Sequence, residues 1–296
     1  MNSYDRCAIC RSEHSTALFS AFDRLEIAKE PFTIAKCSDC GVLRTLPAMS
    51  DYELSRYYPH DYWGDEPTAE PFLPRPTEQT KFLERSGMLG GRILDVGCGS
   101  GFFLRSLDPT LWDRMGVEIG REAAAVARKF IGNENIFESD FSSAKFGDAV
   151  FDIVTFWSSF EHLGNPTEAL DETHRVLKPG GTLILQVPDA ASYQARFFKG
   201  NWFSLDAPRH RYHYDFPFLK DLLASKGFDA YLSAGHSRTH DHHALRQSLK
   251  ALLRHKSFFK DTLYLLTKSF TRPVDAALSL FDIGATITLA ARKLGS

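Results

Sequence analysis

The 296-residue sequence predicts an α/β fold, with a doubly wound, mostly parallel sheet and a small cysteine-rich module ahead of it. Three observations predict this arrangement. Strand-like and helix-like runs alternate between 87 and 235, a glycine-rich turn follows the first strand, and two Cys-x2-Cys pairs lie near the N-terminus. Apolar strands separated by helices are typical of a parallel sheet covered on both faces.

The predicted strands are RILDVGC (92–98), RMGVEIG (114–120), NIFESD (135–140), FDIVTFW (151–157), GTLILQVP (181–188) and FDAYLSAG (228–235). Helices are predicted over 101–107, 121–130, 166–177 and 218–227, with a KPGG turn before the fifth strand. GATITLAARK (284–293) has the composition of one further strand near the end of the chain.

Composition narrows the class of protein. The chain is 43% hydrophobic and 24% charged, with a formal net charge of -2, which argues against nucleic acid as the main partner. No apolar run reaches the length of a membrane span, and the N-terminus lacks a signal-peptide pattern. We therefore expect a cytoplasmic protein, whose five cysteines serve as metal ligands or remain reduced instead of forming disulfides.

The turn after the first strand predicts a nucleotide site. Gly97, Gly99 and Gly101 alternate with other residues, so the backbone can turn sharply and approach a ligand next to the free N–H groups of a helix start. Asp95 precedes the turn. Glu118 ends the second predicted strand, where an acid can bind two ribose hydroxyls, and Asp140 ends the third, where a carboxylate can accept from an adenine amino group. A NAD-binding fold, or acids that only cap helices, are the alternatives.

These runs resemble the class I methyltransferases over about residues 90–190: LDVGCGSG is similar to their first motif, and VEIG, ESDF and FDIVTFW stand where the following motifs should. The resemblance implies a Rossmann-like fold with an antiparallel last strand, and S-adenosylmethionine as the cofactor. It places the amino-acid end of the cofactor on the three glycines and the ribose on Glu118. Asp140 and Phe141 would flank the adenine, and Trp157 completes the cofactor set.

The cysteine spacing, the proline and aromatic content and the alternation of strands and helices, with the last strand that the resemblance implies, divide the chain into five parts. The expected ranges are a zinc ribbon (1–48), an aromatic and proline-rich connector or lid (49–86), the cofactor-binding core (87–235), a helical insertion (236–283), and the last core strand with a tail (284–296). The prolines of the connector are expected to stop regular helices there.

Two CxxC pairs predict a structural zinc site. Cys7 and Cys10 are separated from Cys37 and Cys40 by 26 residues, and each pair can supply two thiolates to a tetrahedral ion. Reduced cysteines without a metal are the alternative. Residues 1–48 hold six basic and six acidic side chains, which favours a structural or substrate-shaping role over phosphate binding.

The stretch CAIC…KCSDCG…YYPHDYW resembles the leader of a bacterial methyltransferase group whose members often act on sugars, cell-surface glycans or secondary metabolites. Sugar C-methyltransferases have a similar cysteine-rich front but are usually longer. We therefore expect methyl transfer, to oxygen, on a small-molecule or glycan acceptor. C- or N-methylation, an RNA methyltransferase that docks through the ribbon, and a cofactor-binding protein without catalysis are the alternatives.

Two segments supply candidate catalytic residues. His162, after the fourth strand, can act as a base, or it can hold the loop together with Glu161. The EHL run resembles the ubiquinone-pathway O-methyltransferases, in which a Glu and a Glu-His pair bind a divalent metal, but Ser158 stands where the first Glu would be.

The second segment is NWFSLDAPRHRYHYD (201–215), which resembles the same bacterial group. Asp206 and His210 could form an acid-oriented base, and Arg209 could bind a carboxylate or phosphate, or simply pair with Asp206. Trp202 and His213 are expected to contact the acceptor.

The lid and the tail carry the remaining predictions. Tyr57, Tyr58 and Tyr62 could stack on a sugar or aromatic acceptor, or pack between ribbon and core. Residues 236–272 hold eight Lys or Arg, two Asp and five His. Over 245–270 the basic, amphipathic pattern fits a peripheral membrane contact, a homodimer contact or a cap over the site.

Overall fold

The computed structural model of the chain describes residues 6–59, 77–253 and 283–295, together with residues 271 and 278. Tyr62 and most of the predicted membrane or dimer region 245–270 lie outside the described residues. Among the residues described, no helix has the length and apolar character needed to cross a bilayer.

Two sheets organise the chain. The smaller one has the order β1-β2-β3-β9 and is antiparallel throughout. Its strands are β1 (Ser15–Ala21), β2 (Phe32–Cys37), β3 (Leu43–Leu46) and β9 (Tyr212–His213). The fourth strand comes from the predicted 201–215 loop, so the cysteine module and the core share one sheet.

The larger sheet has seven strands, in the order β10-β11-β8-β7-β4-β5-β6. They are β4 (Gly91–Val96), β5 (Trp112–Val117), β6 (Ile136–Phe137), β7 (Phe151–Trp157), β8 (Leu177–Pro188), β10 (Phe228–Ala234) and β11 (Thr286–Lys293). Strands β4 to β8 pair in parallel, and β11 is antiparallel to both of its neighbours. The predicted Rossmann-like sheet with an antiparallel last strand is therefore confirmed.

The helices are α1 (Asp51–Ser55), α2 (Glu78–Arg85), α3 (Phe102–Ser106), α4 (Arg121–Ile131), α5 (Pro166–Val176), α6 (Tyr193–Phe198), α7 (Phe216–Ser225) and α8 (Arg238–Leu253). Local chemistry sets several starts. The Asn165 side chain accepts from the Glu168 N–H ahead of α5, and Asp215 caps α7 in the same way. Each of these helices also has proline in its first turn, where no N–H is needed.

Three local predictions need correction. The third core strand is only Ile136–Phe137, so Asp140 lies in the turn after it and does not end the strand. The KPGG turn is an irregularity inside β8, where the register to β7 shifts between Phe151 and Ile153. Helices α1 and α2 form at the two ends of the predicted connector, because Ser50 and Thr77 each make a capping box there.

The core lies on both faces of the larger sheet, and a third apolar cluster packs the smaller sheet against the segments that follow β8. In that cluster Phe32 and Ile34 of β2 pack with Trp202 and Leu205 of the 201–215 segment. Burial of these side chains fixes the cysteine module against the carboxyl edge of the core.

Candidate functional site

The glycine turn between β4 and α3 has the backbone that the sequence predicted. Gly97, Gly99 and Gly101 have φ values of +75°, +54° and +76°, in the left-handed region that side chains disfavour. A Cβ on Gly97 would lie 2.6 Å from the Ser159 Cβ. The Ser159 hydroxyl donates to the Val96 carbonyl at 2.5 Å, so the loop after β7 is seated directly on this turn.

Two buried acids support the turn. The Glu118 carboxylate accepts the Gly99 N–H at 2.9 Å and the Gly120 N–H at 2.6 Å, and burial raises its pKa. Asp95 accepts from the Thr155 hydroxyl at 2.7 Å. Burial raises the pKa of Asp95 to about 7, against the hydrogen bond from Thr155, and the nearby Glu118 adds to the rise.

Beyond β6, the residues predicted to flank an adenine differ in environment. Asp140 is exposed and accepts from Ser142 and Ser143, which lowers its pKa. The ring of Phe141 is buried edge-on against Phe156, with 6.1 Å between centroids. Asp140 therefore presents its carboxylate to solvent next to the buried ring of Phe141.

Trp157 points into the apolar layer between the sheet and the helices. It is 9% exposed, and its ring packs against Phe103 of α3 and Phe82 of α2, with centroids 5.2 and 6.5 Å away. Its indole N–H has no partner among the described residues. Trp157, which was predicted to contact the cofactor, therefore lies in a packing contact in this structure.

A cluster of three titratable side chains follows β7. Glu161 and His162 lie in a 3₁₀ turn (Phe160–His162), and His210 comes from the 201–215 segment. One ligand atom from each lies within 4.8 Å of the others. Both oxygens of Glu161 are buried without a hydrogen-bond partner in the described chain, and burial raises the pKa of Glu161 to about 8.

The two imidazoles of this cluster are held by backbone carbonyls. His210 Nδ1 lies 2.9 Å from the Ser204 oxygen, and His162 Nδ1 lies 3.1 Å from the Arg209 oxygen and 2.9 Å from the Tyr58 hydroxyl. A ring nitrogen next to a carbonyl must be the protonated one, so each Nε2 keeps its lone pair. Burial lowers the pKa of both rings, to about 4 for His162.

Asp206 and Arg209 form a buried ion pair of 2.6 Å rather than an accessible site. The Arg209 guanidinium also donates to Asp23 and to the Tyr57 carbonyl, and its side chain is 0% exposed. The predicted Asp206–His210 hydrogen bond is absent, because Asp206 Oδ2 lies 3.9 Å from His210 Nε2. Of the two roles considered for Arg209, the structure shows the pairing with Asp206 and not a guanidinium exposed to an acceptor anion.

The other predicted acceptor residues lie mostly in packing contacts. Trp202 is 3% exposed in the cluster between the sheets, and His213 Nε2 lies 3.0 Å from the Thr45 hydroxyl. Tyr57 packs edge-on against Phe32 at 5.8 Å. Of the predicted acceptor residues that the structure describes, Tyr58 contacts the titratable cluster, through His162.

The four cysteines come together as predicted. Cys7 Sγ lies 3.8 Å from Cys40 Sγ, and Cys10 Sγ lies 3.5 Å from Cys37 Sγ, with all four atoms within 4.8 Å of one another. A tetrahedral ion with bonds of about 2.3 Å would separate its sulfur ligands by about 3.8 Å. The described donor set therefore fits a zinc ion.

A cleft of about 1020 Å³ lies between the cysteine module and the core. Its walls include Arg44 and Tyr212 of the smaller sheet, Leu54 of α1, and Phe141 and Leu163 of the core. Leu163 and Pro208 of the cleft wall follow His162 and precede His210 closely in the chain, but Glu161, His162 and His210 themselves do not line the cleft.

Sequence reasoning missed several of these residues. Asp23 and Arg24 bind the 201–215 segment from the turn after β1, and Thr45 donates to the His210 carbonyl at 2.7 Å. Each contact joins residues more than 160 positions apart, and no local pattern marks such pairs. Ser159 could have been found, since small residues after a strand often contact the adjacent glycine turn.

Comparison with known proteins agrees with this architecture. The sequence model of a family described as a methyltransferase domain matches residues 73–233, more than half of the chain. The ubiquinone biosynthesis O-methyltransferase of Pseudomonas aeruginosa is 28% identical over 134 residues, which are 43% of this chain and 57% of the relative. The corresponding protein of Xanthomonas oryzae is 27% identical over 202 residues, covering 64% and 82%. The chain thus spans little more than half of the Pseudomonas protein.

Among solved structures, the phosphoethanolamine N-methyltransferase 2 of Haemonchus contortus, in complex with S-adenosyl-L-methionine, superposes with a TM-score of 0.52. It is 17% identical and covers 86% of this chain and 62% of that one, a likeness of fold alone. The strand order and the glycine turn define a class I S-adenosylmethionine-dependent methyltransferase. The chain belongs to the methyltransferase-domain family whose sequence model it matches.

Proposed function

We propose that this chain transfers the methyl group of S-adenosylmethionine to an oxygen of a small-molecule or glycan acceptor that binds in the cleft between the cysteine module and the core. The observation that carries the proposal is the seating of Ser159 on Gly97. It holds the 3₁₀ turn that carries Glu161 and His162 next to the glycine turn, and the ligand atoms of His210 and of these two residues lie within 4.8 Å of one another. This cluster is where proton removal from an acceptor would take place.

In the proposed complex, the backbone of the glycine turn holds the amino-acid end of the cofactor. Glu118 would accept from the ribose hydroxyls with its remaining lone pairs, and Asp140 with Phe141 would contact the adenine. The cofactor supplies an electrophilic methyl group, so the protein has to align the acceptor and receive a proton.

His210 is the proposed proton acceptor. Its Nε2 lone pair is free because Nδ1 donates to the Ser204 carbonyl. After protonation, the new N–H would lie 3.9 Å from Asp206, whose negative charge would stabilise the cation, and 3.8 Å from the buried carboxyl group of Glu161. His162 would hold the Tyr58 hydroxyl in place, and Tyr58 would contact the acceptor. Arg209 would act as a positioning residue.

A divalent cation is the second candidate for this cluster, since Glu161, His162 and His210 could each offer one ligand atom within 4.8 Å. The carbonyl contacts at both Nδ1 atoms are typical of metal-bound histidines. When bound, such an ion would lower the pKa of an acceptor hydroxyl.

A structural zinc ion on Cys7, Cys10, Cys37 and Cys40 is also proposed, and it would hold the first turn of the module against β2 and β3. The module shares a sheet with β9, which begins two residues after His210 in the chain. Zinc would therefore stabilise one wall of the acceptor cleft. A ribbon without basic excess speaks for this role over RNA docking.

The proposal is tested by transfer of labelled methyl from S-adenosylmethionine to sugar nucleotides, quinols, other small hydroxyl compounds and RNA. We expect transfer to a small hydroxyl compound, lost in His210→Ala while cofactor affinity stays unchanged. Transfer only to RNA, or unchanged turnover in His210→Ala, would contradict it. Assays with and without EDTA separate the two candidates when zinc analysis shows that the four cysteines keep their ion, because only the metal-assisted reaction needs an ion at Glu161, His162 and His210.

A further inference from the structure

The cleft holds one buried arginine with unused donors. Arg44 is 4% exposed, lines the cleft, and donates from Nε to the Ser15 hydroxyl at 3.1 Å. No hydrogen bond or ion pair to its two terminal nitrogens is found in residues 6–59, 77–253 or 283–295. These terminal nitrogens are not among the fully buried atoms without a partner, so they open into the cleft, where an oxyanion could pair with them.

A second donor stands beside it. Arg44 and Tyr212 are Cα partners across the β3–β9 pair, and both line the cleft. The Tyr212 hydroxyl accepts the Ala8 N–H at 3.1 Å, while no acceptor for its own O–H is found in the described chain.

The other arginines of the cleft differ. Arg6 pairs with Glu13 at 2.5 Å, and Arg211 donates to the Met49 carbonyl at 2.6 Å and pairs with Asp51. Arg11 is exposed to solvent. Arg44 is thus the buried cation of this cleft whose terminal N–H groups the surrounding described residues leave unpaired.

We propose that Arg44 and Tyr212 bind an oxyanion of the methyl acceptor, either a phosphate or a carboxylate. This inference rests on the proposed function, and it narrows the acceptor to an anionic compound. Two parallel N–H groups of a guanidinium match two oxygens of either group. The volume of about 1020 Å³ is at the upper end of ligand sites, roughly 300–1,000 Å³, and so leaves room for an acceptor of nucleotide-sugar dimensions.

The test is calorimetric titration of the full, zinc-loaded chain with pyrophosphate and, separately, with glucuronate. The variants are Arg44→Gln, Arg44→Lys and the matched control Arg11→Gln, which removes an exposed charge at the same cleft. Zinc content and S-adenosylmethionine affinity report whether each variant is folded. If Arg44→Gln does not fold, Arg44→Lys carries the test, because it keeps the charge and loses the two-pronged geometry.

We expect at least one anion to bind the native chain, and its Kd to rise about tenfold or more in Arg44→Gln. The Kd of Arg44→Lys should lie between those of the native chain and Arg44→Gln, and the Kd of Arg11→Gln should stay within about twofold of the native value. Preference for pyrophosphate or for glucuronate then identifies the source of the oxyanion.

No binding of either anion, or equal affinity in the native and Arg44→Gln chains, would overturn the inference. Failure of the proposed function looks different: Arg44-dependent anion binding would persist, but no acceptor would receive a labelled methyl group.

Discussion

The Arg209 guanidinium donates to the Asp23 carboxylate at 2.7 Å, and both side chains are 0% exposed. Asp23 follows β1 of the cysteine module, whereas Arg209 precedes His210 of the titratable cluster. Asp23 also accepts backbone N–H groups from Leu25, Ile27 and Ala28. The ion pair therefore ties the module and the candidate catalytic segment into one unit.

Removal of this pair should destabilise the whole chain. Arg209→Met leaves Asp23 buried without its cation and Asp206 with Arg24 as its remaining cation, so we expect a loss of about 3–5 kcal/mol in the free energy of unfolding, measured with denaturant. Lys178→Met, which breaks the part-exposed pair with Asp152, is the control and should cost about 0–1 kcal/mol. Similar losses in both variants would show that the buried pair has no special role.

Gly97→Ala should impair cofactor binding through Ser159. The new methyl group would lie 2.6 Å from the Ser159 Cβ at a φ of +75°, so the turn or the following loop must move. We expect S-adenosylmethionine affinity to fall by about tenfold or more by calorimetry. Gly180→Ala, at φ +74° with nothing within 4 Å, is the matched control and should bind normally. Ser159→Gly should partly rescue the first variant; equal defects in both alanine variants would refute the steric argument.

Metal analysis should find about one zinc ion on the four cysteines of each chain. Cys40→Ser removes one ligand, so zinc should be lost and acceptor turnover should fall further than cofactor affinity does. Cys98→Ser is the control, because Cys98 lies on the glycine turn away from the cysteine cluster, and it should keep its zinc. A folded native chain without metal would contradict the zinc assignment.

Asp95 should make stability pH-dependent in the cofactor-free chain. Its pKa is about 7 in the folded state, above the ordinary 3.8, so from about pH 4 to pH 7 only the unfolded chain releases the proton. The contribution of protonated Asp95 to the free energy of unfolding is therefore fully present below about pH 4. It falls as the pH rises and is lost above about pH 7. Asp95→Asn removes this pH dependence. The difference in free energy of unfolding between the variant and the native chain should therefore shift in favour of the variant as the pH rises from about 4 to about 7. The exposed Asp113→Asn should follow the native curve; parallel curves for all three would contradict the shift.

The sequence predicted the fold well where periodicity was local. FDIVTFW matches β7 residue for residue, and GATITLAARK contains β11. It failed at β6, where only Ile136 and Phe137 pair with β5 and the polar residues 138–140 that follow leave the sheet. It failed at β9, because a two-residue strand has no periodicity and its partner β3 is about 170 positions away.

The candidate site divides in the same way. Gly97 and Glu118 could be placed from spacing, because a strand and the turn after it are contiguous in sequence. The pairing of Arg209 with Asp23, and the unused donors of Arg44, depend on how two sheets pack. Such contacts follow from tertiary structure. The residue type of Arg209 suggested that it could bind an acceptor anion, but its side chain is buried in ion pairs.

Calorimetric titration of S-adenosylmethionine tests the central claim most directly. We predict one molecule bound per native chain, an affinity at least about tenfold weaker in Glu118→Ala, and no change in the exposed control Glu122→Ala. Absence of binding to the native, folded chain, or equal affinity in all three, would contradict the account.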